Sequence, residues 1–243
     1  MLRATFVCVF LSLYTLILGP PLLLYTFLSK HVDPLYWAGV KGVMFFVKCV
    51  GVGVEVRGVE RIPKGPCIFA ANHTSSADAP AVVGAIPRRI AILLKQSLFD
   101  WPIAGQAFRL AHFIPVDRSN RESAIESVDK ATEALREGQS FLVYPEGTRS
   151  PDGRLQEFKK GTAVMAIQSG MPVVPVACSG AHRIMKKREL RIRPGKIVVE
   201  FLEPVDSTKY SLEQREALVK EIHDRVAGGL PEDQRPANGE VGE

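Results

Sequence analysis

The sequence predicts an α/β protein, a mixed sheet flanked by helices, with an N-terminal membrane-associated helical segment. Three observations lead there. From about Gly51, short apolar runs of strand length alternate with segments of helical period. The polar, chemistry-bearing segments fall where the apolar runs end, the place where α/β proteins commonly hold ligands. The chain opens with a long apolar run, and no charged residue stands between Arg3 and Lys30.

A length of 243 residues suits one globular domain plus a membrane-associated segment. The run from Ala4 to Ser29 is long enough to cross a hydrocarbon core of about 30 Å as a helix. Gly19-Pro20-Pro21 lies inside it and is expected to kink or break that helix. It is too long for a signal peptide, and no Ala-x-Ala-like site follows. A second apolar stretch, Leu35 to Val54, carries Lys41 and Lys48, with Tyr36 and Trp37 at its start. It reads as an amphipathic helix lying on the bilayer. Residues 1–54 are therefore expected to anchor the protein, by a spanning or a re-entrant helix, with a buried soluble helical hairpin as the alternative; 55–230 are expected to form the catalytic domain and 231–243 a disordered polar tail.

Within the catalytic domain, Val52–Arg57 alternates as a strand, and Cys67–Ala71, Ile90–Leu94 and Phe113–Val116 are buried-strand runs. Ser119-x-x-Glu122 is a capping box before a helix with Ile125, Val128 and Leu135 inward, stopped by Gly138. Phe141–Tyr144 is a strand, Gly161–Ser169 a helix, and Val173–Cys178 and Ile197–Phe201 are strands. Ser211-x-x-Gln214 opens a last helix with Leu212, Val219, Ile222 and Val226 inward, closing near Gly228.

The net charge of +5 is moderate, but seven basic residues against one acid crowd Arg183 to Lys196. Such a cluster is either a solvated loop or a contact for anionic headgroups or a phosphorylated substrate. No nucleic-acid reader motif accompanies it, so nucleic acid is not an expected partner. The four cysteines lack metal or CxxC spacing and read as buried free thiols.

Two segments about seventy residues apart carry the chemistry: Asn72-His73-Thr74-Ser75-Ser76-Ala77-Asp78 and Tyr144-Pro145-Glu146-Gly147-Thr148-Arg149. Asp78 stands where a loop should become a helix. A carboxylate there can fix one nitrogen of His73 and leave the other as a general base. Asn72 and Thr74 to Ser76 are expected to brace the loop locally. A metal reading of this pair has no second ligand cluster to support it. Gly-x-Ser-x-Gly is absent and no covalent nucleophile stands out, so the pair suits activation of a substrate hydroxyl. Gly147 permits a tight turn. Arg149 offers a planar fork for phosphate, and Glu146 either accepts from a substrate hydroxyl or braces the turn. Arg118, Lys95, Lys159 and Lys160 follow strands or the second segment and point to one anion-binding cleft.

These segments, in this order behind an apolar N-terminus, resemble the signature of the 1-acyl-sn-glycerol-3-phosphate acyltransferase family within the glycerolipid acyltransferases. The resemblance spans residues 50–205. It implies that His73 and Asp78 are the catalytic dyad, that Arg118 binds phosphate, and that Glu146, Gly147, Thr148 and Arg149 bind the acceptor. Lys95 matches a lysine after the second strand, and Val173-Val174-Pro175-Val176 an apolar motif expected to shape the acyl-chain side. His112 replaces a glycine common near the start of the second motif, and Ser97 a glutamate common near that lysine. The implied reaction moves an acyl group from acyl-CoA or acyl carrier protein, as co-substrate without further cofactor, to lysophosphatidic acid at a membrane, with the catalytic domain facing the cytoplasm. The alternatives are another lysophospholipid or glycerol 3-phosphate as acceptor, hydrolysis by the same dyad, or a membrane-tethered lipid-binding protein with a degenerate site.

Overall fold

The computed structural model describes residues 2–117 and 120–236. Seven strands form one sheet in the order β1-β7-β6-β2-β5-β3-β4. They are β1 (Val52–Arg57), β2 (Ile68–Ala71), β3 (Ala91–Lys95), β4 (Ile114–Val116), β5 (Phe141–Val143), β6 (Val173–Ser179) and β7 (Gly195–Phe201). The run from β6 to β4 is parallel; β7 is antiparallel to β6 and β1 is parallel to β7. The mixed sheet is thus five strands in one direction and two in the other. The central β2 is buried on both faces, as strands between two helical layers must be.

Side-chain alternation sorts the core. Phe69 and Ala71 face one layer, with α2 (Asp33–Cys49) and α3 (Asp78–Ala85). Ile68 and Ala70 face the other, with α5 (Arg121–Arg136), α6 (Gly161–Ser169) and α8 (Arg215–Gly229). The predicted strands and helices are recovered to within a few residues. Helix α4 (Pro102–Leu110) was not anticipated; its signal was Pro102 at the first helical position. The short α7 (Ala181–Ile184) opens the basic segment.

Helix α1 (Leu2–Ser29) runs through Pro20 and Pro21 without the expected break. The two prolines each remove one N–H donor, but packing holds the helix on either side of them, with Leu22 and Leu23 against the core on the far side. Tyr14 donates to the Ala38 carbonyl of α2 at 2.9 Å, and Ile103 of α4 fills the space beside the buried Gly19. Most of α1 is exposed, and it is the one helix among the described residues long and apolar enough to cross a membrane. Helix α2 is docked on the body rather than detached from it. Leu35, Tyr36 and Phe46 are buried, and the Tyr36 hydroxyl accepts the Ile90 N–H at 3.2 Å. The 35–54 stretch divides at Gly51, where β1 begins within a residue.

Three further expectations are corrected. Asn120 caps α5, accepting from the Glu122 and Ser123 N–H groups at 2.9 and 3.2 Å; the expected cap, Ser119, lies outside the described residues. Residues 231–236 do not trail away as a disordered tail. Gln234 is buried and its carbonyl accepts the Leu155 N–H at 2.8 Å; residues 237–243 lie outside the described residues. The inward faces of two helices are also shifted. Ile125 is 52% exposed, whereas Ala131 joins Leu135 in the core. In the last helix Leu212 is 40% exposed and Leu218 is fully buried. Leu212 lies in a 3-10 turn before α8, whose tighter winding breaks the 3.6-residue count used to place it.

Leu218→Ala should therefore cost about 2–5 kcal/mol and Leu212→Ala under about 1. Chemical denaturation of both variants checks this register.

Candidate active site

Because β2 and β5 are neighbours and parallel, the two segments about seventy residues apart leave the same sheet edge side by side. Asn72 follows β2 and Tyr144 follows β5. The His73 and Tyr144 rings stack, with centroids 4.1 Å apart.

His73 Nδ1 lies 2.9 Å from Asp78 Oδ2. The same oxygen accepts the backbone N–H groups of Thr74 at 2.6 Å and Ser75 at 2.8 Å. An oxygen already accepting two N–H groups receives a third donor, so Nδ1 carries the proton and Nε2 presents its lone pair. Asp78 is fully buried and begins α3, where the helix N-terminus favours a carboxylate. His73 keeps 14% of its side chain exposed.

The backbone of His73 is held by the second segment. Its N–H donates to Glu146 Oε1 at 2.7 Å, and its carbonyl accepts from the Ser150 N–H at 2.7 Å. Glu146 thus braces the neighbouring His73 loop, a role beyond the bracing of its own turn that the sequence offered. Burial pushes Glu146 up to about 8, with Asp78 adding repulsion and the His73 and Gln156 N–H groups pulling the other way. Its Oε2 is buried with no hydrogen-bond partner among the described residues.

Asn72 acts over a distance instead of locally. Its amide donates to the Cys178 carbonyl at 2.9 Å and accepts the Cys178 N–H at 2.7 Å, extending the β2–β6 pairing by a side chain. The Cys178 thiol lies 3.7 Å from Asp78 Oδ1. Burial, then the Asp78 charge, raise it well above the ordinary thiol range, so it stays a protonated donor and is no nucleophile. Burial likewise pushes Cys67 to about 11; the expectation of buried thiols fails for Cys8 and Cys49, which are exposed on the apolar helices α1 and α2.

Gly147 has φ of +73°, a conformation costly for any residue with a Cβ. The Lys159 side chain lies over it. Thr148 is exposed, and Arg149 Nη1 donates to Ser76 Oγ, which draws the guanidinium to the first segment. Lys95 ends β3, one strand beyond β5, with its side chain exposed. Lys160 instead pairs with Glu216 at 2.5 Å. Arg118 lies outside the described residues. His112 adopts a left-handed φ of +59°, so the turn is kept where histidine replaces glycine. Val173, Val174 and Val176 are fully buried in the sheet centre. They are core residues and line neither of two clefts at the sheet. The smaller, about 150 Å³, includes Leu93, Val128, Val143, Tyr144, Gly147 and Met165. The larger, about 410 Å³, lies along β4 and holds none of the predicted site residues.

A family model described as Acyltransferase matches residues 53–179. The 1-acyl-sn-glycerol-3-phosphate acyltransferase of Limnanthes alba is 35% identical over 216 residues, covering 88% of this chain and 76% of that one. The chain belongs to the 1-acyl-sn-glycerol-3-phosphate acyltransferase family. The human alpha form of that enzyme is 33% identical over 157 residues, 64% of this chain and 56% of that one. The crystal structure of the 1-acyl-sn-glycerophosphate acyltransferase from Thermotoga maritima superposes with a TM-score of 0.79 at 30% identity, covering 94% of this chain and 92% of that one.

The acyltransferase site holds groups that sequence reasoning missed. Tyr144 under His73, the reach of Glu146 across to the His73 N–H and the Asn72–Cys178 pairing all depend on strand order. Of the basic segment, Arg183 pairs with Asp233, Arg193 with Glu189 and Lys196 with Glu55, which answers part of it as surface ion pairs. Lys187 does not follow them: its Nζ donates to the Arg149 carbonyl at 2.5 Å.

The raised Glu146 carboxyl makes a signed prediction. Its folded value exceeds its unfolded one, so its contribution to stability is full below about 4.5 and is lost as pH rises through about 8. Glu146→Gln should remove that dependence. Thermal midpoints of the two proteins between pH 5 and 9 should converge or cross as pH rises, with the parent losing ground.

Proposed function

We propose that the protein acylates the free hydroxyl at the sn-2 position of lysophosphatidic acid, yielding phosphatidic acid, with acyl-CoA or acyl carrier protein as donor. The observation that carries the reading is the contact between His73 Nδ1 and Asp78 Oδ2 at 2.9 Å, beside a loop that presents Arg149. The named activity of the relatives supports the acceptor class.

In this scheme His73 Nε2 removes the proton of the acceptor hydroxyl as its oxygen attacks the thioester carbonyl carbon. The tetrahedral adduct collapses, the carbon–sulfur bond breaks, and the imidazolium returns its proton to the departing thiolate. The new ester and a free thiol leave. Asp78 takes no proton; it holds the tautomer and offsets the charge of the imidazolium. Direct transfer fits the thiol chemistry, since Cys178, the thiol next to Asp78, is buried and held protonated. Arg149, with Arg118 and Lys95, holds the acceptor phosphate; a planar guanidinium can take two phosphate oxygens at once. Gly147 and Thr148 shape the turn that presents the guanidinium. The exposed apolar α1 keeps the site at a membrane, with the catalytic domain on the cytoplasmic side.

His73→Ala should lower turnover by about 10²–10⁴-fold without loss of fold, and Asp78→Asn nearly as much. Steady-state acylation of lysophosphatidic acid by acyl-CoA tests it; near-parent turnover in His73→Ala would sink the base assignment.

Arg149→Ala should chiefly raise the apparent KM for lysophosphatidic acid, with Arg149→Lys between it and the parent. A rise confined to the acyl-CoA KM would assign the arginine to the donor instead.

A further inference from the structure

The cationic segment between α7 and β7 takes no part in the acyl-transfer scheme, yet it is built as a strap over the site. Its base is closed by the Arg193 N–H on the Ile184 carbonyl at 2.9 Å. Its tip is a turn, with the Glu189 N–H on the Lys186 carbonyl at 3.1 Å and Arg188 at a φ of +67°. Glu189 and Arg193 pair across it at 2.8 Å. Beyond the base, the Gly195 N–H donates to the Gly51 carbonyl at 3.0 Å. Two contacts reach the active-site loops. Ser75 Oγ donates to the Met185 carbonyl at 2.7 Å. Lys187 Nζ donates to the Arg149 carbonyl at 2.5 Å, with Thr148 Oγ1 at 3.4 Å.

The target of Lys187 is a single peptide unit. The Arg149 carbonyl and the Ser150 N–H belong to one rigid plane. The N–H is fixed on the His73 carbonyl at 2.7 Å, and Lys187 holds the opposite side. A charged donor on the carbonyl also polarises the peptide and strengthens the bond its N–H makes. Two fixed bonds on one plane set the direction in which the Arg149 side chain leaves the loop. Its guanidinium has one further anchor, Ser76 Oγ.

We propose that Lys187 is a positioning residue that sets the aim of the Arg149 guanidinium, and through it the preference for acceptors bearing a phosphate. This rests on the assignment of Arg149 to the acceptor phosphate. The ammonium of Lys187 is spent on a backbone carbonyl and acts through Arg149 rather than on the substrate.

The test is a double-mutant cycle on the full-length enzyme in detergent micelles, with lysophosphatidic acid and acyl-CoA each varied in turn. Lys187→Met keeps the apolar stem and removes the donor; Lys187→Arg keeps a charged donor. Lys187→Met should raise the lysophosphatidic acid KM about tenfold while the acyl-CoA KM stays within about twofold, and Lys187→Arg should recover most of the loss. In an Arg149→Ala background, adding Lys187→Met should change the acceptor KM less than about twofold, because residues acting in series do not add. Thermal midpoints of all variants are read in parallel. An acceptor KM unchanged in Lys187→Met, while Arg149→Ala raises it, overturns this inference alone. Additive effects in the cycle overturn it in favour of direct contact with substrate. Parallel rises of both KM values with a lowered midpoint overturn it in favour of a general structural role. If Arg149→Ala leaves the acceptor KM unchanged, the phosphate assignment falls, and this inference with it.

Discussion

The site depends on how the backbone of His73 is held. Its N–H is taken by Glu146 and its carbonyl by the Ser150 N–H, both at 2.7 Å. The loop after β2 is thereby fixed by the loop after β5, and neither can move without breaking one of these part-buried hydrogen bonds. A buried peptide group left without a partner costs roughly 1–3 kcal/mol, so the two bonds together make the open arrangement of the loops rare. The adjacency of β2 and β5 in the sheet comes first, since it brings the loops within reach. From it follow the Tyr144 stack on the imidazole and the approach of Arg149 to Ser76.

Two buried carboxylates then divide the work through their donors. Asp78 accepts from two backbone N–H groups and the imidazole, with the Thr74 hydroxyl and the Cys178 thiol at the other oxygen. Glu146 has only the His73 and Gln156 N–H groups to favour its charged form, and burial raises it to about 8. Around neutral pH Glu146 is therefore mostly uncharged. Sparse solvation of Glu146 and generous solvation of Asp78 are complementary parts of one arrangement.

The apolar segment is joined to this site through the core. Helix α1 lies along α2 and against α4, while α2 buries Leu35, Tyr36 and Phe46 with the sheet face that carries Phe69 and Ala71. Tyr36 reaches the start of β3 through Ile90. The exposed apolar surface of α1 is thus held to the body that carries His73. A proline pair that would break an isolated helix is tolerated because packing on both sides supplies what the two missing N–H groups do not.

The sequence by itself determined the α/β class, the strand runs, the helix at Gly161–Ser169 and the apolar first helix. It also determined the pairing of His73 with Asp78, because a carboxylate five residues on, at the start of a helix, returns to the imidazole through local geometry alone. Such features are set by period, by turn chemistry and by contacts within one loop. Only the tertiary structure decided the partners of Glu146, Asn72 and Lys187, which lie 73, 106 and 38 residues away along the chain. It also decided that the valines of β6 are core and that Leu218, not Leu212, faces inward. The reason is that strand order and helix phase are fixed by which apolar faces meet in three dimensions. A single chain's pattern of polar and apolar residues is compatible with several such meetings.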